Sequence, residues 1–207
     1  MRKSFCIVLF LLAFGFVMVI NAQSSVRSGL LVGGGIGDIS PDWRVLHETN
    51  PRYSSLTYQY NASIGYRFRY HPSLSSRLFF DLDANVGLKQ WNVKDVQFSA
   101  PSENPYNYPI VQTPFRYLTI SVGGTVNHPV AGGLSIGAGI EPTYYRRLEG
   151  EGDKNTFDLP LVGKIAYDFG PVELGLQYKY GFAPVARSHY INNSKVRDLQ
   201  ISVFVPF

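Results

Sequence analysis

The chain has 207 residues, with 19 Lys and Arg against 15 Asp and Glu and a formal net charge of +4. That balance leaves no electrostatic footprint for a nucleic-acid partner, and a single cysteine, Cys6, excludes a disulfide framework and a cysteine-built metal site. Gly (20), Tyr (14) and Phe (14) are plentiful while charged residues make up 16 %, a composition that suits strands and turns better than helices.

The first element is a leader. Arg2 and Lys3 precede an apolar run from Phe5 to Ile20, and Asn21-Ala22-Gln23 follows. This is the layout of a secretory signal peptide over residues 1–22, cleaved after Ala22, with one domain over residues 23–207. The other reading, a retained anchor, has a run that is short for crossing a bilayer. Cleavage would remove Cys6, Arg2 and Lys3, leaving a cysteine-free mature chain with a net charge of +2.

Period-two alternation then recurs in eight segments, near Arg27–Gly37, Leu56–Tyr70, Leu78–Gln90, Arg116–Asn127, Leu134–Tyr145, Phe157–Phe169, Val172–Phe182 and Val196–Phe207. Soluble sheets favour strands of about five or six residues. A tilted strand crossing a bilayer needs about 9–11, and these segments meet that length. In the seventh, Val172, Leu174, Leu176, Tyr178 and Tyr180 oppose Glu173, Gly175, Gln177, Lys179 and Gly181. Alternation alone also fits a sandwich, but the aromatics do not. The second segment carries Tyr58 and Tyr60 at one end of its apolar row and Tyr66, Phe68 and Tyr70 at the other, with Ala62 and Ile64 between. Two aromatic girdles flanking an aliphatic band are the mark of a transmembrane barrel. Tyr144, Tyr167, Phe169, Tyr178, Tyr180 and Phe207 extend the girdles.

The connections alternate in length. His71–Ser76, His128–Gly133 and Gly170-Pro171 are short turns, whereas residues 38–55, 91–115, 146–156 and 183–195 form long loops. Short periplasmic turns and long extracellular loops are the rule for outer-membrane barrels. The expected fold is all-β, an eight-stranded antiparallel up-and-down transmembrane β-barrel. The last strand, RDLQISVFVPF, would close it against the first and remove both sheet edges.

The signal ending INAQ, the glycine-rich first strand GLLVGGGIGDI and the terminal SVFVPF resemble the PorT-like outer-membrane barrels of Bacteroidetes-type bacteria, within the wider OmpA/OmpX type. The resemblance implies the outer membrane of a Gram-negative cell. It implies contact with outer-membrane lipid and lipopolysaccharide. The assembly machinery would read the C-terminal strand, and a protein partner in a larger envelope complex is implied by family members that serve such machines.

Eight strands enclose just enough room for side chains. The inner rows are expected to hold Arg67, Arg69, Lys89, Lys164, Lys179 and Arg197 with Asp81, Asp83, Glu141, Glu173 and Asp198. Shielded charges are costly unless paired, so an ion network filling the lumen is expected, with Asp81 and Asp83 reached by Arg67 and Arg69 across the short turn His71–Ser76. Of the histidines, His71 and His128 precede turn prolines and His47 lies in the first long loop. His189 is the enzymatic candidate, because some barrel lipid A deacylases pair a His with a Ser two positions on. Here that position is Ile191, and Ser194 and Asp198 lie further along. Nucleophilic catalysis needs serine, base and acid within hydrogen-bond reach. Glu149, Glu151 and Asp153 lack the length of a calcium loop and read as a solvated acidic tip. The second long loop carries Pro101, Pro105, Pro109 and Pro114 with Phe98, Tyr106 and Tyr108, a stiff aromatic surface suited to binding. The expectation is a non-enzymatic barrel without cofactor or metal, acting through its loops as a binding, accessory or structural component. A lipid A deacylase and a narrow channel are the alternatives.

Overall fold

The computed structural model describes residues 26–43, 55–72, 77–96, 110–149, 155–186 and 191–207. Its strands are β1 (Val26–Trp43), β2 (Ser55–Tyr70), β3 (Phe79–Val96), β4 (Ile110–Ala131), β5 (Leu134–Ile140), β6 (Thr143–Glu149), β7 (Asn155–Asp158), β8 (Leu161–Asp168), β9 (Glu173–Ala186) and β10 (Ile191–Pro206). All pairings are antiparallel. The ladder returns on itself, because β10 pairs with β1, setting Leu31 opposite Phe204 and Ile36 opposite Leu199.

Ten segments make eight strands. Glu141-Pro142 separates β5 from β6, and Leu159-Pro160 separates β7 from β8. Proline has no N–H to give a ladder. The prolines instead accept, with the Val122 amide donating to the Pro142 carbonyl at 3.1 Å and the Glu141 amide to the Pro160 carbonyl at 2.9 Å. The two interruptions therefore sit side by side. β4 pairs with both β5 and β6, β5 continues to β8, and β6 to β7. β8 completes the ring against β9, while Asp158 of β7 accepts the Phe182 and Ala183 amides of β9 at 3.0 and 2.8 Å.

The strands run further than the alternation indicates. Trp91 and Phe115, expected in the second long loop, face each other in the β3–β4 ladder, and Pro114 lies opposite Asn92. Likewise His128 and Pro129 belong to β4, and the turn shrinks to Gly132-Gly133. Both glycines have positive φ, +53° and +90°, as a two-residue hairpin turn with the strand's own twist demands.

Alternation has sorted the side chains. Outward rows hold Leu30, Val32, Ile64, Val86, Val122, Ile165 and Leu176, all exposed, with Ile36 65 % and Ile201 62 % open. A water-soluble monomer rarely shows a continuous apolar surface of this kind; around a closed barrel it is the lipid-facing band. The inward rows are buried, and they mix charged and polar residues with apolar and aromatic ones such as Leu31, Trp91 and Phe204.

Candidate functional site

The interior is organised in layers along the barrel axis. Nearest the short turns, β2 and β3 pair so that Arg67 opposes Asp83 and Arg69 opposes Asp81. Arg67 grips Asp83 with Nε and Nη2, each at 2.7 Å. Arg69 grips Asp81 with Nε at 2.7 Å and Nη2 at 3.0 Å. Such fork-to-fork pairing fixes geometry as well as charge. The remaining guanidinium nitrogens cross the lumen to β9, where Glu173 accepts Arg67 Nη1 at 2.8 Å and lies 2.6 Å from Arg69 Nη1. Lys164 of β8 closes the ring by donating to Asp81 at 2.8 Å and Glu173 at 2.9 Å. Three cations thus meet three carboxylates, all buried, with opposite walls tied together. Two aromatics lie against this layer. The Arg69 guanidinium sits 4.4 Å from the Phe79 ring centre, and Phe204 lies 5.2 Å from Arg67 and 5.4 Å from Arg69, favourable cation–π distances.

Further along the axis, Lys179 pairs with Glu141 at 2.8 Å, and Lys89 pairs with Asp198 across the lumen. Small residues leave room for uncharged polar groups here. A Cβ on Gly33 would stand 2.7 Å from Ser63 Oγ, beside the bond from Gln200 Nε2 to that hydroxyl at 2.6 Å.

Towards the long connections the filling turns aromatic. Trp91, Tyr117 and Tyr145 are fully buried and stack edge to face, with centroids 5.2 and 6.3 Å apart. Tyr117 donates to the Val185 carbonyl at 3.4 Å, and Lys89 Nζ lies 5.3 Å from the Tyr145 ring. Phe115, Val185 and Val196 are buried as well. The lumen is thus filled twice, by paired charge at the turn end and by rings at the loop end.

On the outside, the aromatic rows frame the apolar band. At the turn end the Tyr66–Phe68, Tyr167–Phe169 and Tyr66–Phe207 rings lie 4.8, 4.6 and 5.9 Å apart. Tyr70 packs on Phe80 at 6.5 Å, and Tyr66 donates to Ser28 Oγ at 3.0 Å. At the loop end Tyr60, Tyr144 and Tyr178 are exposed, and Tyr180 packs on Phe182 at 5.4 Å.

The sequence matches no protein-family model and no curated protein. Among solved structures it is similar to Neisserial surface protein A, with 14 % identity over 89 % of this chain and 99 % of that one and a TM-score of 0.45. It is also similar to Ail, the attachment invasion locus protein of Yersinia pestis, solved with the heparin analogue sucrose octasulfate (12 % identity, 88 % and 99 % covered, TM-score 0.43). A third similar structure is the outer membrane protein OprG from Pseudomonas aeruginosa (12 % identity, 88 % and 92 % covered, TM-score 0.39).

One expected interior residue is misplaced. Arg197 lies on the outer face, 5.2 Å from the Tyr180 ring, and the inner position belongs to its neighbour Asp198. Successive strand residues point to opposite faces, so the two cannot share the lumen. Three residues missing from the expected girdles, Phe80, Phe157 and Phe182, are exposed on the outward rows. The inner aromatics are not among the expected interior residues. Parity is the signal that places them there, since Phe79 shares a row with Asp81, and Phe204 with Gln200 and Ser202. His71 stacks on Phe79 at 5.2 Å, His128 is exposed, and Glu149 pairs with Arg116 at 3.0 Å. The leader, the Tyr58 side chain, His47, Phe98, Tyr106, Tyr108, Glu151, Asp153 and His189 lie outside the described residues.

Proposed function

We propose that the chain is a non-enzymatic outer-membrane protein that works at its extracellular end, as a binding or accessory component of the envelope. The filled lumen carries this reading. Arg67, Arg69, Lys164, Asp81, Asp83 and Glu173 commit their hydrogen bonds to one another, so among the described residues this layer leaves no unpaired charge for a solute. What can recognise a partner is then the surface at the ends. The banded exterior and the leader expected over residues 1–22 support an outer-membrane location. The finer assignment, a PorT-like barrel whose closing strand is read by assembly machinery, rests on GLLVGGGIGDI and SVFVPF.

The test is purification of the native protein from membranes in mild detergent, beside a variant whose residues 97–109 are replaced by a short Gly-Ser linker. A chain that co-purifies with the parent and not with the loop variant supports the reading. A companion indifferent to the loop, or none at all, contradicts it. So would lipid A deacylation abolished by His189→Ala.

A further inference from the structure

A groove of about 600 Å³ runs along the outer face of β4, β6 and β7. Leu118, Ile120 and Tyr144 give it an apolar floor, and Arg146, Arg147, Glu149 and Asn155, with Leu148 beside them, line its loop-end half; Arg147 already has an interaction partner. Its depth in the membrane is set by the girdle, because Tyr144 stands opposite Phe157 and both are exposed. Arg146 is two residues beyond Tyr144 on the same outward row, opposite Leu118 on β4 and Asn155 on β7, one step above the aromatic belt. Its neighbour Arg116 is already engaged, donating to Gln90 at 2.7 Å and pairing with Glu149 at 3.0 Å. Arg146 is exposed, and among the described residues it has no carboxylate partner.

An arginine on a lipid-facing row at the boundary of the apolar band is costly unless its head meets water or an anion at headgroup depth. We infer that this groove binds a phosphorylated lipid of the outer leaflet, with an acyl chain on Leu118, Ile120 and Tyr144 and a phosphate on the Arg146 guanidinium. The planar fork suits phosphate bidentately. A free anion would need no apolar floor, and a neutral lipid would leave Arg146 unanswered, so the two halves of the groove together specify the class.

The folded barrel in non-ionic detergent is titrated by native mass spectrometry with diphosphoryl lipid A and with the same lipid stripped of its phosphates. Folding of every variant is checked by its gel shift on boiling. The parent should hold the phosphorylated lipid about tenfold more tightly. Arg146→Ala should abolish that preference and leave binding of the stripped lipid unchanged, and Arg146→Gln, which keeps more of the side chain's bulk, should do the same. Arg27→Ala, which removes a turn-end partner of Asp168, should change nothing. Inorganic phosphate at matched concentration should not displace the lipid. Equal retention of both lipids by the parent, a preference undiminished in both Arg146 variants, loss in Arg27→Ala, or displacement by phosphate would each overturn the assignment.

Discussion

Glu173 is a point where the interior is sensitive to a single change, since one carboxylate answers Arg67, Arg69 and Lys164, as Asp81 also does. Breaking a buried ionic cluster from one side leaves uncompensated charge and costs about 3–5 kcal/mol. An exposed pair contributes roughly 0–1 kcal/mol. Glu173→Gln should therefore lower the urea midpoint of the micelle-bound protein sharply, and Glu149→Gln, from the half-exposed pair with Arg116, should barely move it. Equal losses would mean that the cluster is not held in the lumen. Strand adjacency across one short turn makes the facing of Arg67 with Asp83 readable in the sequence. The reach of both arginines to Glu173 is not, because it depends on the stagger with which the barrel closes. Arg197 shows the limit of reading charge without parity. Beside Asp198 one of the two had to face outward, and the ring of Tyr180 receives it.

At the level of elements, turn chemistry decides how the hairpins close. Gly133 holds φ at +90°, and its carbonyl accepts the Asp168 amide at 2.9 Å. A side chain there must occupy the left-handed region, at a cost of about 1–2 kcal/mol. Gly124, on the outer face, has open space where a Cβ would go. Gly133→Val should thus depress the urea midpoint, whereas Gly124→Ala should leave it nearly unchanged; the reverse order would contradict the turn assignment. Alternation marked all eight strands but not their full length. Beyond the girdle at the loop end, Trp91 and Phe115 point inward, so the apolar-out signal fades while the ladder continues. It is equally blind to the interruptions at Pro142 and Pro160, since face patterns say nothing about which amides can donate. The residues between strands carry the expected binding surface, Phe98, Tyr106 and Tyr108, and no repeating pattern governs them.

For the molecule as a whole, closure and filling answer different demands. Closure satisfies the backbone where water is absent, and the meeting of β10 with β1 supplies it. A ring of this kind should resist detergent, so the native protein should migrate differently on a gel before and after boiling and should partition with the outer membrane; a soluble periplasmic pool would contradict this. A filled lumen should offer no route for solutes. It holds both a charged layer and an aromatic layer, so Trp91→Ala alone should leave the barrel closed. The most direct measurement is the conductance of the purified protein in a planar bilayer. Parent and Trp91→Ala should both insert without stable, sizeable current steps, whereas reproducible large channels from the parent would show that the lumen is a conduit and that function does not reside at the ends.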